Sequence, residues 1–119
     1  MKWLVEFHND FYEEFKVLDI EVQDQILAKS KLLEVFGHNL GRPHVDTLTG
    51  SAFSNMKELR VEANNGVWRI AFAFDPKRKA ILLVTGDKKG VNQSKFYKDL
   101  IRVADLRFED HLIHLKKKK

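Results

Sequence analysis

Residues 67–74, VWRIAFAF, are apolar at seven of eight positions and are bracketed by turn residues, NNG at 64–66 and DPKRK at 75–79. So short and apolar a run between breakers is a strand, and the Asn-Asn-Gly before it tolerates the positive φ that a tight hairpin requires. The chain must therefore fold around a β-meander. The incoming strand is KELRVEA at 57–63, with Leu59, Val61 and Ala63 on one face and Glu58, Arg60 and Glu62 on the other. The outgoing strand is AILLVTG at 80–86, too apolar to keep a wet face over most of its length. On the central strand Trp68, Ile70, Phe72 and Phe74 form the core face, which leaves Arg69 opposite, between Val67 and Ala71.

The flanking segments supply the cover. KWLVEFH at 2–8 alternates apolar and polar residues and reads as a half-buried strand. Asn9 or Asp10 can cap a helix through DFYEEFKVL, and Asp19 can cap a longer one, with Val22, Ile26, Leu33 and Phe36 at helical spacing, ended by Gly37. This makes an acidic helical hairpin whose outward charges form a solvated face. Residues 38–56 hold no lasting period and read as a long ordered loop anchored by Leu48 and Phe53. A last helix spans about 94–115, with Phe96, Leu100, Phe108, Leu112 and Leu115 at spacings of three and four and with Lys95, Lys98 and Arg102 on another stripe. The fold class is α+β, a small antiparallel sheet in the order β-α-α-β-β-β-α, to which the first strand can add.

A chain of 119 residues with 44% hydrophobic content suits one compact domain over 1–119, with KKKK at 116–119 as a basic tail. There is no cysteine, which removes disulfides and thiolate metal sites and points to a reducing, cytoplasmic address. Neither a membrane-spanning run nor a signal peptide is visible, so no membrane partner is expected. The net charge of +4 divides unevenly. Residues 1–40 carry four Lys against eight acids, and residues 41–119 carry seventeen Lys or Arg against nine acids, which suggests a basic face for an anionic partner such as nucleic acid. Half of that second excess is the lysine tail, a solvated handle on the blander reading. The histidines at 8, 38, 44, 111 and 114 lack ligand spacing, so no metal or other cofactor is expected, and helix-end packing accounts for His111 and His114.

Arg69 has two readings. Glu58, Arg60 and Arg69 share one surface of the hairpin, where a carboxylate can neutralise the arginines in an ordinary salt-bridge patch. Alternatively, GDKKG at 86–90 and KFYKDL at 95–100 bring Lys88, Lys89, Lys95, Tyr97 and Lys98 to the same edge, a set suited to phosphate.

In this order of elements, with KELRVEANNGVWRIAFAFDPKRKAILLVTGDKKG as strand meander and FYKDLIRVADLRFEDHL as closing helix, the chain resembles the RelE/ParE superfamily of toxins, in its HigB-like, phage-derived branch. The resemblance implies a toxin of a type II toxin-antitoxin system, a metal-free endoribonuclease that cleaves mRNA on translating ribosomes. Its partners would be mRNA, the ribosome and a small cognate antitoxin, HigA-like with a helix-turn-helix. Carried over, Arg69 matches the phosphate-contacting arginine of the second meander strand, Glu58 the base on the first, Lys88 or Lys89 the basic residue after the last strand, and Tyr97 the tyrosine near the closing helix. Arg60, Lys89, Lys95 and Lys98 would bind RNA. Several relatives carry a histidine beside the tyrosine, but Tyr97 is flanked by Phe96 and Lys98, so no general acid is assigned. A ParE-like toxin that binds DNA gyrase without cleaving, or a degenerate module that binds only its antitoxin, are the alternatives.

Overall fold

The computed structural model of the protein describes residues 3–117. Lys2 of the first expected strand and the last two lysines of the tail lie outside that range. The elements run β1 (Leu4–Phe7), α1 (Asn9–Lys16), α2 (Ile20–Phe36), a 3₁₀ turn (Gly37–Asn39), β2 (Val45–Thr47), β3 (Lys57–Ala63), β4 (Gly66–Phe74), β5 (Lys79–Asp87) and α3 (Gln93–Lys117). They form one five-stranded sheet in the order β1-β5-β4-β3-β2, antiparallel except that β1 runs parallel to β5. The α+β class and the meander are as the sequence predicts, and so is the addition of the first strand, which joins through β5.

The hairpin between β3 and β4 turns on Asn64 and Asn65, with φ of 51° and 62°, and Gly66 already belongs to the returning strand. In the next turn Asp75 accepts hydrogen bonds from the backbone N–H of Lys77 and of Lys79, both 2.9 Å, while Arg78 takes φ 65°. Leu48 is buried and Phe53 packs on the same cluster, so both act as the expected anchors of the 38–56 segment. That segment is not wholly loop: Val45–Thr47 adds an edge strand to β3. Three residues cannot display a period, and the partner strand supplies what the local sequence does not.

Cap chemistry also differs from expectation. His8 caps α1, its Nδ1 accepting the backbone N–H of Asp10 at 3.1 Å. Asp19 stands at the cap position of α2 without a side-chain cap bond, and its carboxylate instead accepts Asn64 Nδ2 at 3.0 Å. The hairpin's charges are likewise not all solvated, because Glu14 pairs with Arg107 of α3.

Two cores lie on the two faces of the sheet. Phe11, Phe15, Val22, Ile26 and Leu33 from α1 and α2 pack on Leu59, Ile70, Phe72 and Leu82. Phe96, Leu100, Ala104 and Phe108 from α3 pack on Ala71, Ala73, Ile81 and Leu83. Burial on both sides explains why β4 is apolar at nearly every position. Arg69 therefore does not lie on an open surface: it sits at the edge of the second core, under the first turns of α3, and is 8% exposed.

Candidate active site

The first turn of α3 is fixed by Asn92, whose Oδ1 accepts the backbone N–H of Lys95 at 3.2 Å. Phe96 then inserts over Gly86, so close that a Cβ on that glycine would stand 2.9 Å from the ring. The next residue, Tyr97, is thereby set over β3 and β4. In that ladder Arg60 lies directly opposite Arg69 and Glu58 opposite Ala71.

Four side chains close into a chain of hydrogen bonds. Arg69 Nε donates to the Tyr97 hydroxyl at 2.8 Å, and that hydroxyl donates to Glu58 Oε1 at 2.8 Å. Arg60 Nε donates to Glu58 Oε2 at 3.3 Å. Arg69 Nη1 is held by the carbonyl of Val67 at 2.9 Å. Glu58 is 3% exposed, whereas the Arg60 side chain remains 42% exposed, so the cluster has a buried anion and an accessible cation. Burial and the hydrogen bond to Glu58 push the Tyr97 phenol upward, which keeps it a protonated donor.

Like charges directly opposite each other in a sheet repel. Glu58 offsets part of this repulsion, bonding Arg60 directly and Arg69 through Tyr97, and Asp46 adds a second negative charge that acts on Arg60. Close by on β2, opposite Glu58, stands Asp46, held below the usual carboxylate range by the backbone N–H of Thr47 and then by Arg42.

The other expected residues divide. Lys88 and Lys89 line a depression of about 300 Å³ that Arg69, Asn65 and Asp87 also border, and Lys88 Nζ donates to Gln93 Oε1 at 3.4 Å. Lys98 lines a groove of about 790 Å³ that Tyr97 also borders. Lys95 turns away to Asp99 at 2.8 Å, an exposed pair along the helix. Sequence reasoning placed Arg102 on the basic stripe without naming it for the site, yet it lines the same groove as Tyr97 and Lys98. The signal was its spacing of four residues from Lys98. His111 pairs with the buried Asp75 at 2.7 Å and His8 with Asp110 at 3.0 Å, contacts that hold the distal half of α3 away from the site, whereas His44 adjoins it, its carbonyl accepting the backbone N–H of Arg60 at 2.8 Å.

Set beside known proteins, residues 13–109 match the sequence profile of the family described as phage derived protein Gp49-like (DUF891). The chain is 46% identical over 98 residues to HigB3, a candidate toxin of Mycobacterium tuberculosis (strain ATCC 25618 / H37Rv), covering 82% of this chain and 83% of that protein. It is 44% identical over 96 residues to a second candidate toxin of that organism, HigB2, covering 80% of this chain and 47% of the longer protein. Among solved structures it resembles a mutant of the E. coli toxin RelE in the free state, with TM-score 0.55, 14% identity and coverage of 86% of this chain and 96% of that one. The archaeal RelE-RelB complex from Pyrococcus horikoshii OT3 gives TM-score 0.55 at 16% identity, with coverage of 76% and 100%.

Proposed function

The chain belongs to the phage-derived Gp49-like family, alongside HigB relatives and on a RelE fold, and from that premise we propose that it is the toxin of a type II toxin-antitoxin pair, a metal-free endoribonuclease acting on mRNA at the ribosome. The observation that carries the reading is the Arg60–Glu58–Tyr97–Arg69 chain, a preorganised cationic site beside a basic depression.

In the reaction the ribose 2′-OH attacks the adjacent phosphorus, the 5′-oxygen leaves, and the products are a 2′,3′-cyclic phosphate and a 5′-hydroxyl. Glu58 is the base at the end of a two-proton relay through Tyr97. Because Tyr97 already donates to Oε1, the proton passes to the tyrosine oxygen as the tyrosine gives its own to Glu58. Arg60 and Arg69 stabilise the charge gathering on the phosphorane, and Lys88 or Lys89 serves the departing oxygen as cation or acid. Lys98 assists in holding RNA; Lys95, paired with Asp99, contributes less.

One observation favours a second reading, a toxin that binds its target without cutting. Both oxygens of Glu58 already accept a hydrogen bond and the group is buried, which restricts direct approach of a ribose 2′-OH. Expression of the chain with and without its neighbouring gene decides between them. The nuclease reading expects growth arrest, new mRNA 5′-hydroxyl ends and relief by the neighbouring product, an antitoxin with a helix-turn-helix that co-purifies with the chain. Arrest without new ends would transfer the assignment to a gyrase-binding or other non-cleaving toxin.

A further inference from the structure

The outward side of α2 is not the polar face that a solvated helix presents. Val22, Ile26 and Leu33 take its buried side to the sheet, yet Ile20, Leu27 and Val35 stand on the other side, 71%, 45% and 57% exposed. Turning by about 100° per residue, the helix gathers Ile20, Asp24, Leu27, Ala28, Lys31 and Val35 into one stripe about 100° wide. All six are exposed. Asp24 and Lys31 form no ion pair with any described residue, so the stripe holds one free anion and one free cation between its apolar ends.

We propose that this stripe is the interface of a homodimer, in which α2 packs antiparallel against α2 of a second copy about a two-fold axis between Leu27 and Ala28. The stripe is its own complement. Counted outward from that axis, Leu27 meets the partner's Ala28, Asp24 meets the partner's Lys31 and Ile20 meets the partner's Val35, each contact being made twice. A pattern that reads alike from both ends fits a second copy better than an unrelated chain. In parallel packing Asp24 would face Asp24 and Lys31 would face Lys31, and a slip of one turn would set each charge against an apolar residue. The two ion pairs therefore add little to strength but fix orientation and register, while the apolar residues supply the attraction. Because α2 and α3 cover opposite faces of the sheet, both candidate active sites lie on the outside of the dimer. The interface does not depend on what those sites do.

Sedimentation of the purified full chain over a concentration series should show monomer in equilibrium with dimer. Leu27→Glu puts two carboxylates at the axis and should leave a folded monomer by circular dichroism. Asp24→Lys and Lys31→Asp each bring like charges together twice, and each should weaken dimerisation at least about tenfold. Both reversals in one chain should restore it, and mixing the two single variants should give a heterodimer in preference to either homodimer. The chain has no cysteine, so orientation can be read by crosslinking: Ile20→Cys should form a disulfide with Val35→Cys in a mixture and not with itself. A chain that is monomeric at every concentration, a dimer indifferent to Leu27→Glu, a double reversal no better than the single ones, or self-crosslinking of Ile20→Cys would overturn the interface. So would a monomeric chain whose complex with the neighbouring gene product is lost in Leu27→Glu, a result that would assign the stripe to the antitoxin.

Discussion

Arg69 fills the structural role the sequence offered, and the same position is the one the proposed reaction asks of it. Its Nε holds Tyr97, Tyr97 holds Glu58, and the direct separation from Glu58 Oε1 is 3.9 Å, so the ion pair works through the phenol between them. Arg69→Ala should therefore cost more than an exposed pair would, about 1–3 kcal/mol, because a buried carboxylate loses part of its compensation. It should also cut cleavage by about 10²- to 10³-fold, the scale of one preorganised charge contact. Arg69→Lys should restore only part of the rate, since an ammonium lacks the guanidinium fork. Growth assays beside thermal melts check both, and a toxic Arg69→Ala protein would end the catalytic assignment. Tyr97 carries a pH prediction. Its folded pKa lies above the ordinary 10.0, so its contribution to stability is complete below pH 10 and declines as pH rises through the folded value. Melts from about pH 9 to about pH 11 should show wild type losing stability more steeply than Tyr97→Phe. The convergence of Glu58, Arg69 and Tyr97 was legible in the sequence because strand register and helix order place them together. That the three close on one another was not, since the contact depends on how deeply α3 settles on the sheet.

That settling is decided at Gly86. It lies opposite Arg69 on β5, and a methyl there would meet Phe96 Cε1 at 2.9 Å. Phe96 is 8% exposed and is held between sheet and helix, so Gly86→Ala should lift the first turn of α3, at about 1–3 kcal/mol for the overpacking, and carry Tyr97 off Glu58. Activity should fall further than the loss of stability accounts for, and adding Phe96→Leu should recover part of both. An active Gly86→Ala protein with unchanged melting would show that the helix seat does not set the site. The same element explains what the sequence withheld about the fold. The periodicity of α3 was plain, as were both hairpin turns, but an arginine in β4 suggests an open face when in fact a second helical layer covers its neighbours Ala71 and Ala73. β2 was missed for a different reason: Val45–Thr47 is a strand only because β3 presents an unpaired edge to it.

Across the whole molecule the charges follow the layers. The acidic first forty residues build the edge strand β1 and the α1–α2 layer on one face of the sheet, while the basic remainder supplies the other four strands, including Arg60 and Arg69, and α3, which carries Lys98 and Arg102. The lysine tail extends that bias past the described residues. Deleting 116–119 should weaken RNA or ribosome association modestly and flatten its salt dependence while cleavage persists, because each neutralised phosphate adds to the salt slope without taking part in the reaction. A folded but inactive truncation would move the site toward the C-terminus. The parallel pairing of β1 with β5 has a further consequence, for the order of events during synthesis. The first strand made waits for the last one, and the contacts among Glu58, Arg69 and Tyr97 wait for the helix that follows, so long-range closure comes late and slowly. A nascent chain holds its arginines without the tyrosine that aligns them. The aligned cluster exists only once α3 has been made and has settled on the sheet.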